Sequence, residues 1–549
     1  MLTEMLAARG WGGLIAAYAA VQAPMWVALR RAGARRLLLS PLLAAPATLF
    51  AGAGLALLAP AIRALGSPSL ALGAGVAVSA AVGYASGRWL ARPAPAASRH
   101  QRGARLADAA AVALPATAQQ RAAVRSRALT LAGVPLAAQD EVKHFKLIGT
   151  TGTGKSTAIQ ELLAAARERG DRAVIADPDG GYLRRLYDPA RGDVILNPFE
   201  PRSARWDLFG ELREDYDVDE LARALIPDHE GSDRSWRGYA RTFFSAVTAQ
   251  AHAAGSRDVR ELYRLLMVAG TAELRTLVGG TPAQPFLEEH NGRMFDSIRS
   301  VTSSAVGALE YVARQKSAPL SVRDWVRGGA EGGVLFLPYR APQIAALRSS
   351  ISAWMRLAIF EAMNREEGAE ALWFVVDELD ALGQIDGLKD ALARLRKFGG
   401  RCVLGFQSIA QVSATYGSGE AQTIVENCSN SLILRCSGSE HGGTSQFASR
   451  LIGEREVLRV HTARSRRPTE LLAAVTLSEH HATEPAVMAA EIEQLPDLAG
   501  YLKLASRPEW LRVQLSHVAQ AQRAGAAGLA RIPAPAALRA RESAGHERA

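Results

Sequence analysis

Residues 144–156 of the chain read HFKLIGTTGTGKS, a short apolar run that leads directly into the pattern G-x-x-x-x-G-K-[ST]. Residues 157–169 then have a helical pattern that stops at Gly170. A strand, a glycine-rich loop and a helix in this order bind phosphate, because backbone N–H groups at a helix N-terminus attract an anion. We therefore predict a nucleotide site, with the contacts made by Gly149, Thr150, Thr151, Gly152, Thr153, Gly154, Lys155, Ser156 and Thr157.

A second apolar run ends in two adjacent acids. Residues 372–376 (LWFVV) are followed by Asp377 and Glu378, as expected of a central parallel strand. We expect Lys155 to reach the β and γ phosphates and Ser156 to ligate Mg²⁺. We assign Asp377 to the metal and Glu378 to the attacking water. A glutamate at this position favours hydrolysis over binding alone, so the pattern predicts an ATPase that uses ATP and Mg²⁺.

A third apolar run, residues 401–406, ends at Gln407. A polar amide at the end of a strand beside the glycine-rich loop can sense the γ-phosphate, and an ordinary strand-end cap is the alternative. Residues 394–400 form a basic run with two glycines at its end. From these residues alone it is a helix C-terminus with cations near the negative end of the helix dipole.

The fold class follows from what lies between these motifs. Strand-like runs are predicted at 173–176, 334–337, 432–435, 501–504 and 511–515, whereas residues 215–320 have helical patterns. We predict an α/β protein whose mostly parallel sheet holds the nucleotide at its carboxyl edge. Its core would comprise residues 140–214 and 321–518, with 215–320 as an inserted all-helical domain.

The N-terminal part predicts membrane contact. Residues 37–62 and 64–87 carry no charge and are each long enough to span a bilayer. Arginines flank both ends, so residues 37–87 are predicted to be a transmembrane hairpin whose two ends lie in the cytoplasm. Residues 1–36 would be cytoplasmic or interfacial, with 10–29 either a third span or an interfacial helix. Residues 88–139 are predicted to be a linker and 519–549 a disordered basic tail.

Composition excludes a disordered or fibrous chain, since 48% of the 549 residues are hydrophobic and 21% are charged. The formal net charge of +10 lies in the flanks. Residues 1–140 hold fourteen arginines against three acids, and residues 511–549 hold six against two. The central part is therefore net negative. Anionic lipid explains the basic flanks as well as DNA does, so charge alone does not predict a DNA-binding core.

As a set, these motifs resemble the coupling proteins of conjugative DNA transfer and type IV secretion, the TraD and TrwB family of membrane-anchored ATPases. The resemblance covers roughly residues 140–515. It rests on the glycine-rich loop and on the segments DPDG (177–180), NPF (197–199), WFVVDEL (373–379), RKFGG (396–400), VLGFQS (403–408), EIEQLPDL (491–498) and YLK (501–503).

The resemblance implies a RecA-like motor core assembled as a hexamer in the inner membrane, with its soluble part in the cytoplasm. ATP hydrolysis would drive single-stranded DNA with its bound relaxase towards the inner-membrane components of a secretion channel. Arg396 falls where the family places an arginine finger that acts on the neighbouring subunit's nucleotide, and Arg394 is the fallback. The alternatives are an FtsK-like translocase of double-stranded DNA and a membrane docking protein that binds nucleotide without moving DNA.

Overall fold

The computed structural model describes residues 2–29, 34–63, 67–90, 98–109, 129–228, 233–328, 332–439, 442–465, 474–516 and 529. The chain divides into two compact units. The first comprises residues 1–101 and 456–482, and the second comprises residues 102–455 and 483–549. Each unit is described below by itself.

The strands are β1 (Ser98–Gly103), β2 (Leu106–Asp108), β3 (Thr130–Leu131), β4 (Val134–Pro135), β5 (Phe145–Ile148), β6 (Arg172–Pro178), β7 (Val194–Ile195), β8 (Arg205–Trp206), β9 (Pro319–Leu320), β10 (Val334–Tyr339), β11 (Leu372–Val376), β12 (Gly400–Phe406), β13 (Asn430–Ile433), β14 (Glu454–Ser465), β15 (Ala474–Pro485), β16 (Ala499–Lys503) and β17 (Trp510–Gln514).

The α-helices are α1 (Leu2–Leu29), α2 (Ala34–Arg63), α3 (Pro68–Leu90), α4 (Ala138–Glu141), α5 (Lys155–Arg169), α6 (Gly181–Leu186), α7 (Asp217–Leu225), α8 (Arg234–Ala253), α9 (Val259–Met267), α10 (Thr271–Leu277), α11 (Gly292–Val306), α12 (Leu309–Arg314), α13 (Val322–Gly328), α14 (Ala341–Ala362), α15 (Leu388–Arg394), α16 (Ile409–Tyr416), α17 (Ser418–Asn427), α18 (Gly443–Ile452) and α19 (Ala489–Glu493). Short 3₁₀ turns lie at Pro189–Arg191, Phe209–Glu211, Gln284–Leu287, Glu289–Asn291 and Leu395–Phe398.

The second unit is built on a ten-stranded sheet in the order β2-β17-β16-β13-β5-β12-β11-β6-β10-β7. The seven strands from β13 to β7 run parallel to one another. Strand β16 is antiparallel to both β13 and β17. The prediction of an α/β core with a mostly parallel sheet is therefore confirmed. Because β5, β12 and β11 are neighbours, the residues that follow them meet at one edge.

Both faces of this sheet are covered, which explains the continuous apolar runs in its strands. In β11, Trp373 and Val375 belong to the hydrophobic cluster that includes residues of α5. Phe374 and Val376 alternate with them and belong to the cluster that includes residues of α14. Asp377 and Glu378 follow directly after this strand.

In the part of the chain expected to be an all-helical insertion, the described elements from α7 to α12 are helices and 3₁₀ turns, and the part ends in the two-residue strand β9. The strands on either side of these helices, β8 and β9, pair in parallel. The apolar residues of the insertion join the same cluster as one face of the sheet. The insertion is therefore packed against the α/β core and shares its hydrophobic interior.

In the first unit, α1, α2 and α3 pack together. Val21 and Met25 of α1 cluster with Ala44, Ala47 and Ala51 of α2. Glycines of α3 let α1 approach closely, since a Cβ on Gly83 would lie 2.2 Å from the carbonyl oxygen of Val21. Residues 10–29, predicted as a third span or an interfacial helix, therefore form part of a helix packed along its two neighbours.

One helical stretch among the described residues, Ser40–Leu58, is long and apolar enough to cross a membrane. The predicted two-span hairpin at 37–87, and with it a multi-pass topology, is not supported.

The predicted linker at 88–139 differs from the structure, because it contains strands β1 to β4. Strand β2 pairs in parallel with β17, and β1 forms a three-stranded sheet with β14 and β15. These strands are too short to show a hydrophobic alternation, and the partners of β1 and β2 lie far away in the sequence. The predicted basic tail at 519–549 lies outside the described residues except for Leu529.

Candidate nucleotide site

The glycine-rich loop joins β5 to α5. Gly152 and Gly154 have φ of 79° and 118°, in the left-handed region that side chains with a Cβ rarely adopt. Gly154 is also the N-cap residue that precedes α5, and no side chain caps this helix end. The first N–H groups of α5 therefore have no partner within the helix and are available to a phosphate.

Lys155 is 6% exposed and folds back over the loop. Its Nζ donates to the carbonyl oxygens of Gly149 at 2.6 Å and Thr150 at 3.3 Å. Burial lowers the pKa of Lys155, and the nearby Asp377 and Glu378 oppose that shift. A buried ammonium held only by neutral carbonyls would gain more from phosphate oxygens, which are charged acceptors.

Ser156 and Asp377 are in direct contact. The Ser156 hydroxyl donates to Asp377 Oδ2 at 2.6 Å. The other carboxylate oxygen, Oδ1, is buried and has no hydrogen-bond partner among the described residues. A serine hydroxyl beside a carboxylate with one free oxygen is a donor set that suits Mg²⁺, which prefers oxygen ligands and retains several waters. The predicted metal ligands Ser156 and Asp377 therefore fit this ion.

Glu378 is half-buried at the end of β11. Burial is the largest cause of a raised pKa of Glu378, and the charge of Asp377 raises this pKa further. Gln407 Nε2 donates to Glu378 Oε1 at 3.0 Å, and this bond opposes the shift. The fold thus brings the predicted sensor Gln407 and the predicted catalytic carboxylate of Glu378 into direct contact. A partly buried carboxylate whose pKa is raised towards neutrality suits the role of a base.

The structure does not bring Arg396 to this group. Arg396 and Arg394 are exposed and lie before β12, whereas Gln407 lies directly after it. A seven-residue strand spans roughly 23 Å, so the two ends of β12 lie on opposite edges of the sheet. His144, which precedes β5, feels the charge of Arg396 at that opposite edge. Arg396 is therefore remote from the nucleotide site of its own chain.

Two further residues at the site were not assigned a role from the sequence. The Tyr182 hydroxyl donates to Asp377 Oδ2 at 2.8 Å. Asp177 lies at the end of β6, the strand beside β11, and burial raises its pKa to about 7, with a smaller contribution from the charge of Asp377. The position of Asp177 after an apolar strand is a signal that the sequence does contain. Nothing in the sequence marks Tyr182.

The strand, loop and helix, with an acid pair on a nearby parallel strand, define a nucleotide-binding P-loop protein with a RecA-like core. The sequence model of the family described as "Type IV secretion-system coupling protein DNA-binding domain" matches residues 128–516. The chain belongs to this family, and the predicted membership is confirmed.

A curated relative is the coupling protein TraD of Escherichia coli (strain K12). It is 32% identical over 382 residues, which cover 68% of this chain and 53% of TraD. A type IV secretion system-coupling protein VirD4 of Bartonella quintana is 26% identical over 301 residues, 44% of its own length. The chain thus spans about half the length of the curated relatives it matches.

Solved structures of the plasmid coupling protein TrwB are also similar. TrwB in complex with the non-hydrolysable ATP analogue ADPNP is 30% identical, with a TM-score of 0.68. This match covers 79% of this chain and 98% of TrwB. TrwB in complex with ADP and Mg²⁺ has a TM-score of 0.67 at 30% identity and covers 78% of this chain and 96% of TrwB. The agreement over the whole of TrwB's solved chain confirms the predicted fold class.

Proposed function

We propose that this chain is a membrane-anchored, ATP-driven DNA translocase that couples a relaxase–DNA complex to a conjugative type IV secretion channel. The observation that carries the proposal is the 2.6 Å hydrogen bond between Ser156 and Asp377, beside a glutamate held by Gln407. The family's description as a DNA-binding domain and the nucleotides bound to TrwB support it.

In this proposal, ATP binds with its phosphates on the N–H groups at the start of α5. Lys155 exchanges its loop carbonyls for oxygens of the β and γ phosphates. Bound Mg²⁺ would neutralise charge that develops on the phosphates, and Ser156 and Asp377 would hold it. Glu378 orients the attacking water and accepts its proton. Gln407, in contact with Glu378, is placed to respond when the γ-phosphate is lost.

The same proposal requires an oligomer. Arg396 is exposed and far from its own nucleotide site, so it acts on the site of a neighbouring copy or not at all. A ring in which the Arg396 edge of one copy faces the carboxyl edge of the next satisfies this geometry. We propose a hexamer, in which the guanidinium neutralises charge on the transferred phosphoryl group.

The proposed location is the inner membrane, with the motor in the cytoplasm. Ser40–Leu58 is the described segment that supports an anchor, and membrane lipid is its partner. The proposed cargo is single-stranded DNA with its bound relaxase, delivered to inner-membrane components of the secretion system.

The test is a translocation assay with the full-length protein in lipid nanodiscs, given ATP and Mg²⁺. We expect displacement of a streptavidin block from biotinylated single-stranded DNA, with ATP hydrolysis stimulated by the same DNA. Displacement on double-stranded DNA alone would favour the FtsK-like alternative. ATP binding without hydrolysis or displacement would overturn the motor and leave a docking protein.

A further inference from the structure

Tyr182 stands out among the buried groups of the site because the chemistry described above does not use it. It lies in the first turn of α6 and is 2% exposed. Its hydroxyl donates to Asp377 Oδ2 at 2.8 Å. The Ser156 hydroxyl donates to the same oxygen at 2.6 Å. One carboxylate oxygen thus accepts both bonds.

The two bonds determine which oxygen of Asp377 remains available. With Oδ2 held by two hydroxyls, Oδ1 is buried without a partner among the described residues. A carboxylate held by Ser156 alone can rotate about its Cβ–Cγ bond, because that torsion has broad minima. Ser156 would also have to turn its hydroxyl oxygen to a bound metal ion. Tyr182 then remains as the donor that fixes the carboxylate.

Asp177 fixes the position of Tyr182. Its Oδ1 accepts a hydrogen bond from the Tyr182 backbone N–H at 3.0 Å, and its Oδ2 accepts one from the Leu183 N–H at 2.7 Å. Asp177 lies at the end of β6, and β6 pairs directly with β11, with Ala176 opposite Val376. These two hydrogen bonds anchor the short helix α6 to β6, and β6 is the direct neighbour of β11, the strand that precedes Asp377.

We infer that Tyr182 is a positioning residue that orients the metal-binding carboxylate of Asp377 through its hydroxyl. This inference rests on the proposed nucleotide chemistry and adds a residue to it. The role belongs to the hydroxyl and not to the ring, because phenylalanine would fill the same buried space. Outer partners of metal ligands typically contribute about 10-fold to 100-fold in metal affinity.

The experiment compares Tyr182→Phe with the wild-type full-length chain. Binding of a fluorescent ADP analogue is measured without metal and then at increasing Mg²⁺. The matched control is Tyr263→Phe, which removes a hydroxyl that donates to Glu310 Oε2 at 3.4 Å in the helical insertion. We expect the Mg²⁺ midpoint to rise about 10-fold in Tyr182→Phe, with metal-free affinity changed by less than about 2-fold. Tyr263→Phe should match the wild type.

An unchanged Mg²⁺ midpoint in Tyr182→Phe would overturn the inference. An equal loss of metal-free and Mg²⁺-dependent binding would also overturn it, because that result indicates a structural role for the ring. If Tyr182→Phe does not fold, Asp177→Asn, which weakens the anchor of α6, must move the midpoint in the same direction. The inference fails if it does not. Absence of ATP hydrolysis in the wild type would instead contradict the proposed motor function. The Mg²⁺ binding titration would still test the role of Tyr182 in that case.

Discussion

The hydroxyl of Ser156 donates a hydrogen bond of 2.6 Å to Asp377, although 221 positions separate the two residues in the sequence. The contact exists because β5 and β11 are parallel and only β12 lies between them. Residues that follow parallel strands meet at one edge of the sheet. The helical insertion lengthens the chain between the two residues and leaves this edge intact.

Replacement of Lys155 should abolish nucleotide binding. Lys155→Ala removes the cation expected to contact the β and γ phosphates. It leaves unchanged the glycines that determine the conformation of the loop. We expect the affinity for ATP with Mg²⁺ to fall by at least about 100-fold, measured by equilibrium binding. Lys316→Ala, at an exposed position in the chain, is the control and should bind as the wild type. Retained binding in Lys155→Ala would contradict the assignment.

Loss of Gln407 should shift the pH dependence of hydrolysis. The Gln407 hydrogen bond lowers the pKa of Glu378 against the effect of burial, so Gln407→Ala raises that pKa further. A base must be deprotonated to act, and the acidic limb of the kcat profile should therefore move to higher pH. Gln411→Ala, at an exposed position of α16, should leave the profile unchanged. A shift to lower pH in Gln407→Ala would contradict the contact described here.

Arg396 should act between copies of the chain. Arg396→Ala should reduce hydrolysis by about 10³-fold or more and leave nucleotide binding nearly intact. A mixture of Arg396→Ala chains and Lys155→Ala chains should recover ATP hydrolysis. Some interfaces in the mixed oligomers then pair an intact Arg396 with an intact glycine-rich loop. An arginine acting on its own chain predicts no recovery. If Arg394→Ala shows this behaviour in place of Arg396→Ala, the finger is Arg394.

Glu211 should make stability depend on pH. Its carboxylate accepts hydrogen bonds from Trp206 Nε1, Ser321 Oγ and the backbone N–H groups of Val322 and Arg323. Burial raises its pKa from 4.5 to about 7. Between these values the folded protein retains a proton that the unfolded chain releases, so this contribution to stability is lost as pH rises through that range.

Glu211→Gln cannot titrate and would present its NH₂ group to donors. We expect it to lower the free energy of unfolding by about 1–3 kcal/mol. We also expect that free energy to decrease less than in the wild type between about pH 5 and about pH 7. Chemical denaturation of the full chain in detergent, followed by tryptophan fluorescence, measures both. An unchanged pH slope would show that Glu211 ionises normally.

The parallel core could be predicted because buried parallel strands are continuous apolar runs. The run 372–376 fixed both the strand and the position of Asp377 and Glu378 at its end. Strands β1, β2, β14 and β15 could not be predicted in the same way. The residues of β1 are mostly polar, β14 and β15 carry polar and charged residues along most of their length, and β1 and β2 pair with strands far away in the sequence.

The site was predictable only in part for a related reason. Lys155 and Ser156 begin the helix after the glycine-rich loop, and Asp377, Glu378 and Gln407 directly follow strand ends. Tyr182 lies in a six-residue helix, and its contact with Asp377 depends on how that helix packs. No local pattern encodes such a contact. The predicted second membrane span at 64–87 has no support from the described residues, in which one segment, Ser40–Leu58, is long and apolar enough to cross a membrane.

The account depends most on Glu378 as the base for ATP hydrolysis, and one measurement tests it directly. The measurement is the DNA-stimulated ATPase rate of the full-length protein and of Glu378→Gln, with binding of ADPNP and Mg²⁺ measured in both. We predict that binding stays within about 3-fold while hydrolysis falls by at least about 100-fold. A Glu378→Gln variant that hydrolyses ATP at the wild-type rate would contradict the account.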